Sequence, residues 1–297
     1  MQYVADNKDE GLTIKTVLRS RLFMSTRLIK NLKYHGEILK NGMACFVTEF
    51  VHEGDTLCLR FYEEVNSAIR PVCLLFEMVY ETDHYCVVNK PKNMATHPSP
   101  GHYDDTLANA LSYYWQERGE SHVIRPINRL DKNTTGLMIV AKTQYAARLL
   151  TNELSSEEIK KCYVAIANGV LSPESGEINK PISRCEDSII KRCVAMGGKE
   201  SLTRYETISL AKDATFVRLF PLTGRTHQLR VHMAHIGHPL VGDTLYGNEN
   251  GSEFIDRVAL HCDSLSFLDP ITGEKLSFTA PLPTDMVKLW SMCGGDF

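Results

Sequence analysis

An apolar run, Leu137-Met138-Ile139-Val140-Ala141, is bounded by Gly136 and Lys142 and reads as a buried strand. The polar turn Asn133-Thr134-Thr135-Gly136 precedes it, and Arg129-Leu130-Asp131 precedes the turn. The pattern therefore predicts a core strand entered through a tight loop that carries Arg129 and Asp131. Nearer the N-terminus, Leu28, Ile29 and Leu32 followed by Gly36 have helical spacing, with Ser25 placed to cap the helix. Ile38 and Leu39 lead into an Asn41-Gly42 turn, and Val51, Gly54-Asp55, Leu57 and Leu59 give a second turn and strand.

Glu63 to Pro71 is polar and unpatterned and reads as a linker. Leu74, Leu75, Phe76, Met78 and Tyr80, then His84 to Asn89, predict two short strands turning at Glu81-Thr82-Asp83, the second ended by Pro91. Thr106 is placed to cap a helix that shows Leu107, Ala110, Leu111, Tyr114 and Trp115 on one face. Gln144 to Leu154 forms another, with Ala147, Leu150 and Leu154 apolar, and Lys161 to Ala165 opens a strand that ends at Gly169. Thr226 is expected to cap a helix ended by Gly237, with Leu229, Met233 and Ile236 as its apolar stripe and Arg230 flanking it.

The length of 297 residues admits one large domain and a small one. Hydrophobic content of 43% and charged content of 23% are those of an ordinary globular protein, and no apolar run approaches the length of a membrane span. The first ten residues, polar and acidic, do not fit a signal peptide. Nine cysteines, an odd number without a Cys-x-x-Cys pair, point to reduced thiols and a cytoplasmic setting rather than a disulfide or zinc framework. Net charge is −3, which does not by itself announce a nucleic-acid binder. Its distribution changes that picture: from Gly11 to Gly42 there are seven bases (Lys15, Arg19, Arg21, Arg27, Lys30, Lys33, Lys40) against the single acid Glu37. A cluster of this kind, taken alone, is better read as a solvated face.

Read singly, the candidate groups have bland explanations. Asp131 beside a turn can cap it with its side chain, although loops held by rigid elements are also where catalytic groups tend to sit. Tyr163 is a half-buried strand tyrosine, and His97 is a lone histidine after a strand. His227, His232, His235 and His238 crowd one stretch, but their spacing lacks a His-Glu-x-x-His pattern and no acid lies near them before Asp243. No metal site is expected there.

Taken together, three strings resemble the RluA-type pseudouridine synthases. The first is Arg129-Leu130-Asp131 with Thr134-Thr135-Gly136-Leu137 and Ala141-Lys142; Asn128 stands where most members have His. The second is Lys161-x-Tyr163-x-Ala165. The third is Gly224-Arg225-Thr226-His227-Gln228-Leu229-Arg230-Val231-His232, continuing to Gly242-Asp243-x-x-Tyr246-Gly247. A further segment, Asn89-Lys90-Pro91 to His97-Pro98, matches except that Asn93 replaces the usual Gly. The resemblance covers about residues 77 to 290. It implies an α+β chain with the pseudouridine synthase fold, a large mixed and mainly antiparallel sheet with flanking helices, over 74–297. Residues 11–64, through Ser25 to Lys30, Gly36 to Ile38, Asn41-Gly42 and Val51 to Asp55, resemble the small α-L RNA-binding module of the ribosomal-protein-S-four type, with 65–73 as linker.

The resemblance implies isomerisation of uridine to pseudouridine in RNA, with Asp131 as the catalytic carboxylate, Arg230 as its partner and Tyr163 against the target base. Arg129, Arg225, His227 and Lys161 become RNA contacts of the catalytic domain, and Arg27, Lys30 and Lys33 those of the module. The base leaves the sugar, turns and is rejoined through its fifth ring carbon, so no cofactor is expected. Asp131 would attack the anomeric carbon or the sixth ring carbon, or assist glycal formation. The partner is RNA, ribosomal RNA of the large subunit being favoured over transfer RNA, and a monomer is expected. Two other classes compete. A non-catalytic RNA-binding or assembly factor would not need Asp131, Tyr163 and Arg230 all intact, and a metal-dependent hydrolase would need the histidines to converge.

Overall fold

The computed structural model describes residues 1–62, 69–155, 159–247 and 253–296. Its first part holds β1 (Gln2–Val4), α1 (Ile14–Ser20), α2 (Thr26–His35), β2 (Gly36–Lys40), β3 (Met43–Ala44) and β4 (Thr56–Phe61). The strands pair in the order β1-β4-β2-β3, all antiparallel. Asn41 and Gly42 close the β2–β3 turn at φ 52° and 82°, the doubly left-handed turn that an Asn-Gly pair suits. The Ser25 hydroxyl caps α2 by accepting from the Leu28 amide at 3.1 Å. Leu28, Ile29 and Leu32 are buried, and Arg27, Lys30 and Lys33 are exposed on the opposite face.

Two features of this part escape the sequence pattern. β1 pairs with β4 from Gln2↔Cys58 to Val4↔Thr56, so the sheet begins ahead of the boundary expected at residue 11. Three residues are too few to show a strand's alternation. The seven bases, moreover, are not all free. Arg21 is paired with buried Asp9 at 2.8 Å, and Lys40 lies 3.7 Å from Asp55. Both carboxylates lie outside the stretch in which the bases cluster, so the free cationic face is narrower than the count suggests.

Of the expected linker, residues 65–68 lie outside the described residues. Residues 69–73 are docked rather than loose: Ile69 packs on the main core, Val72 donates its amide to the Asn109 carbonyl at 3.2 Å, and Asn109 Nδ2 donates to the Arg70 carbonyl at 2.7 Å.

The second part runs β5 (Glu77–Glu81), β6 (Tyr85–Lys90), α3 (Leu107–Gln116), β7 (Arg125–Pro126), β8 (Thr135–Ala141), α4 (Gln144–Ser155) and β9 (Lys160–Asn168). It continues through β10 (Ser175–Asn179), β11 (Ile182–Arg184), β12 (Arg192–Val194), β13 (Leu202–Leu210), β14 (Ala214–Pro221) and α5 (Gln228–His235). It ends with β15 (Leu260–Leu268), β16 (Lys275–Thr279) and α6 (Thr284–Met292). Ten strands form one sheet in the order β10-β13-β14-β9-β15-β8-β6-β5, with β16 beside β15 and β7 beside β8. Its strands pair antiparallel except β8 and β15, which run parallel through His261↔Thr135 and Cys262↔Gly136. This is the mixed, mainly antiparallel sheet with flanking helices that the resemblance implies.

β8 is buried at every residue, which is why it reads as an unbroken apolar run rather than an alternation. β9 shows the two faces of the sheet. Tyr163, Ala165 and Ala167 join the core that holds α3 and the Leu229 and Met233 side chains of α5, whereas Val164 and Ile166 join the core under Trp290 of α6. α4 serves both parts of the chain. Ala146 and Leu150 enter the large core, while Tyr145 is buried in the first part's core and stacks on Phe61 with ring centroids 5.9 Å apart.

The helix expected to be capped by Thr226 starts later. His227 occupies the cap position with φ 57° and no side-chain cap bond. Gln228 does the work instead: its side-chain oxygen accepts from the Arg225 amide at 3.0 Å and from the Thr223 hydroxyl at 2.7 Å. The far end agrees with expectation, Gly237 taking φ 86° after the last turn.

Gly136 sits where β8 leaves the loop carrying Asp131, at φ 113°, and an added Cβ there would run into the backbone of Cys262 on β15. Gly136→Ala should therefore destabilise the protein by about 3 kcal/mol, combining a left-handed strain with an overlap against a strand that cannot retreat. Urea unfolding measures this, and a loss below about 1 kcal/mol would contradict it.

Candidate active site

The loop from Ile127 to Thr134 is pinned before it presents any side chain. Asn128 is buried, donates to the Leu137 carbonyl at 3.2 Å and accepts from the Ile139 amide at 2.8 Å. The residue that departs from the family pattern thus ties the loop's entry to the strand that follows it. The Thr96 hydroxyl donates to the Leu130 carbonyl at 3.1 Å. Lys90, fully buried, donates to the carbonyls of Pro91, Met94 and Lys132 at 2.8 to 3.0 Å, and burial pulls its pKa down to about 7. On the other side Arg257 donates to the loop's Asn133 carbonyl at 3.5 Å, and is itself fixed by the carbonyls of Val258 and Leu260 and a two-point pair with Asp285, both bonds 2.8 Å. A loop whose backbone is held on both sides can fix a side chain that is itself partly exposed.

That side chain is Asp131. Its Oδ2 accepts from Arg230 Nη1 at 3.0 Å, with His227 Nε2 3.7 Å away. Arg230 is shared. Its Nε and Nη2 donate to the two oxygens of Asp243 at 2.7 and 2.8 Å, leaving Nη1 for Asp131. Asp243 is buried and also accepts from the amides of Leu245 and Tyr246. Burial opposes the charge of Arg230, but the bonds to Asp243 and the charges of Asp243 and Asp131 outweigh it and hold the guanidinium above its ordinary pKa. Arginine suits such a place because its planar fork serves two carboxylates at once. Tyr246 completes the surround: its ring lies 5.0 Å from the guanidinium carbon, and its hydroxyl accepts from the Arg192 amide at 2.8 Å and meets His227 Nδ1 at 2.7 Å.

Asp131 and Arg230 border a cavity of about 210 Å³. Tyr163 enters it from β9, almost fully buried, and burial drives its phenol pKa well above the usual 10. Lys161, two residues earlier on the same face of the strand, lines it as well, as do Arg129, Arg225 and His227. Residues from Arg129 to Arg230, distant in sequence, thus meet at one opening. They differ in depth: Arg129 and Arg225 are exposed at the mouth, Lys161 and His227 are half-buried, and Tyr163 and Arg230 are buried. His227, expected to face the RNA backbone, faces Asp131 instead, because its left-handed backbone turns it inward at the start of α5. Arg27, Lys30 and Lys33 lie elsewhere, on α2; Arg27 and Lys30 border a shallow hollow with Tyr34 and Gln144.

Asp243, Tyr246, Lys90 and Asn128 contribute to the site without being singled out by the sequence pattern for these roles. One signal was available for Asp243: a buried arginine facing a half-exposed aspartate needs a second anion, and the nearest acid after the helix is Asp243. The four histidines do not share a centre. His232 lies between the Thr203 hydroxyl and the Lys180 carbonyl, His238 meets the Asn168 carbonyl, His235 is exposed and His227 is in the cavity. Among the described residues no group of three His, Cys, Asp or Glu side chains is placed to hold a metal ion.

Comparison with known proteins meets this geometry. The family model described as RNA pseudouridylate synthase matches residues 84–235. The chain is 35% identical to the RNA pseudouridine synthase YhcT of Bacillus subtilis, over 97% of this chain and 96% of that protein. It is 37% identical to the ribosomal large subunit pseudouridine synthase D of Escherichia coli K12, over 88% of this chain and 83% of that one. Among solved structures, the human RNA pseudouridylate synthase domain containing 4 superposes with a TM-score of 0.62 at 22% identity, covering 74% of this chain and 94% of that one. The human domain containing 1 gives 0.59 at 26%, covering 75% and 96%.

The unequal sharing of Arg230 has a measurable consequence. Asp243→Ala removes a buried two-point partner and should cost about 3 to 5 kcal/mol of stability, as for other broken buried pairs. Asp131→Ala removes a partly exposed, single-point partner and should cost under about 1 kcal/mol. Urea unfolding of the two variants checks the order, and equal losses would contradict the asymmetry.

Proposed function

The chain belongs to the RNA pseudouridylate synthase family, and we propose that it converts specific uridines of large-subunit ribosomal RNA to pseudouridine with Asp131 as nucleophile and no cofactor. That it is an RNA pseudouridine synthase follows from the family. The choice of RNA is supported by its likeness to the ribosomal large subunit pseudouridine synthase D. The observation that carries the role of Asp131 is its carboxylate at the rim of the cavity, held through Oδ2 by one N–H of Arg230 at 3.0 Å.

Isomerisation breaks the bond between the anomeric carbon and ring nitrogen N1 and makes one from the same carbon to ring carbon C5. It is redox-neutral and consumes no water. A carboxylate is a competent covalent nucleophile in glycosyl chemistry. Asp131 either attacks the anomeric carbon or ring carbon C6, or draws the sugar towards a glycal. Arg230 orients the carboxylate and offsets its charge as bound RNA closes the site to water. Asp243 fixes the plane of Arg230, so that Nη1 and no other nitrogen faces Asp131. Tyr163 offers a ring to the flipped base, and its phenol, kept neutral by burial, has an O–H to donate. A base taken out of structured RNA leaves a gap. Arg129, exposed beside Asp131 at the mouth, fills that gap or holds a phosphate there, and Arg225 takes a phosphate on the other side.

The first part of the chain, residues 11–64 with β1, serves as the RNA-binding module. Arg27, Lys30 and Lys33 present their charges to solvent along one side of α2. Its core is closed by Tyr145 from α4, so RNA held on α2 is held in a defined relation to the catalytic sheet.

Two experiments test this. Asp131→Asn should retain RNA affinity and lose turnover by more than about a thousandfold, because an amide cannot serve as nucleophile. Release of tritium from ring carbon C5 of uridine in RNA reports the reaction, and activity within tenfold of the parent would sink the assignment. Replacing Arg27, Lys30 and Lys33 together with Ala should weaken binding and flatten the slope of log affinity against log salt by about 0.7 to 0.9 for each lost phosphate contact. The maximal rate should change little, since the cavity is untouched. An unchanged slope with a reduced maximal rate would count against the module as an RNA grip.

A further inference from the structure

Among the described residues the Lys161 ammonium, which borders the cavity, has no counterion. It lies on β9 two residues before Tyr163, so both side chains leave the same face of the sheet and line the same cavity. β14 pairs with β9 only from Tyr163 onwards, which leaves the edge of the strand beside Lys161 open towards the cavity. The buried cations near the reacting groups are paired: Arg230 with two aspartates, Arg257 with Asp285, and Lys90 with three carbonyls. Among the described residues the Lys161 side chain makes no hydrogen bond or ion pair. Burial lowers its pKa from the ordinary lysine value, the expected direction for a charge removed from water without a partner. Keeping such a group costs stability, so its partner is to be sought in the substrate.

Resting on the proposed function, we propose that Lys161 is a catalytic residue that stabilises the uracil ring as it leaves the sugar. When the bond from the anomeric carbon to N1 breaks, its electron pair passes into the ring, which departs as a monoanion with charge on its two carbonyl oxygens. The anomeric carbon is held as an ester by Asp131, or Asp131 takes the C2′ proton and the sugar closes as a glycal. After the ring turns, C5 forms the new carbon–carbon bond as the Asp131 ester bond breaks, or as the glycal takes the C2′ proton back from Asp131; the C5 proton is then lost and N1 takes up a proton. Charge and atoms balance without any co-reactant. The anion is transient, and a fixed cation aimed at it acts on the transition state more than on the bound substrate. Phosphates are the other anions that RNA brings. Arg129 and Arg225, exposed at the mouth, are the groups placed to meet those, whereas Lys161 stands further in, next to the tyrosine against which the base lies.

The test is single-turnover kinetics with excess enzyme on unmodified transcripts of large-subunit ribosomal RNA, made with uridine or with 5-fluorouridine. Fluorine withdraws electrons, so the fluorinated ring leaves as an anion with less help from the protein. Lys161→Met should slow the step with uridine by about a hundredfold, as for loss of one preorganised electrostatic partner, while RNA affinity stays within about threefold of the parent. With 5-fluorouridine, read as rearranged nucleoside after digestion, the gap between parent and variant should narrow by at least about tenfold. Lys161→Gln gives the same comparison if the methionine variant does not fold. A gap of equal size with both bases, or a loss confined to affinity, would overturn the role and make Lys161 a phosphate contact. A parent protein that leaves every uridine unchanged in both transcripts would overturn the proposed target, and this role with it.

Discussion

One guanidinium holds the site together. Arg230 joins α5, the buried Asp243 in the segment that follows it, and the loop that carries Asp131. Each of these is held in turn from behind: α5 by Gln228 at its start, Asp243 by two backbone amides, and the Asp131 loop by Asn128, Lys90 and Arg257. The pairing works because it is unequal. Two bonds to a buried carboxylate set the plane of the guanidinium, and the third points at a carboxylate that keeps part of its surface open to the cavity. A guanidinium free to rotate would offer Asp131 a partner in no fixed direction, and preorganisation is what a small electrostatic site depends on.

The sheet supplies the rigidity on which this relies. Asp131 leaves its loop directly into β8, which lies between β6 and β15 and is buried on both faces. The single parallel pairing of the ten-stranded sheet, β8 with β15, is made at Thr135 and Gly136, the first two residues after the loop. The close approach there admits no side chain, and this is the physical reason for a glycine next to the candidate nucleophile. β9, on the other side of β15, carries Tyr163 and Lys161 into the cavity by simple alternation. Tyr163 and Lys161 are thus spaced by strand geometry, α5 supplies Arg230, and the loops supply Asp131, Arg129, Arg225 and His227.

The two parts of the chain are joined by more than a connecting segment. Tyr145 of α4 is as much a member of the first part's core as any of its own residues, and Asn31 of α2 donates to Gln144 at 3.4 Å. α4 follows β8 by two residues. The basic face of α2 is therefore connected to the Asp131 loop through one helix and one strand, both of them packed.

Whatever depends on near neighbours in the chain was legible in the sequence. The apolar run of β8, the Ser25 and Thr106 caps, the Asn41-Gly42 turn, the β5–β6 hairpin and the strand bearing Tyr163 all follow from local spacing and turn chemistry. The three motifs also brought Asp131, Tyr163 and Arg230 forward as a set. What depends on which distant groups meet was decided only by the tertiary structure. Thr226 gave way as a cap because Gln228 reaches back across the turn, and His227 turned inward because its backbone is left-handed. Arg21 and Lys40 lost their free charge to Asp9 and Asp55, and Lys161 kept its own because no carboxylate among the described residues pairs with it. A residue's type shows which charge it carries. Burial and the atoms opposite it, set by contacts about a hundred or more residues away in sequence such as Asp131 with Arg230, decide whether that charge is balanced, fixed in direction or left for the substrate.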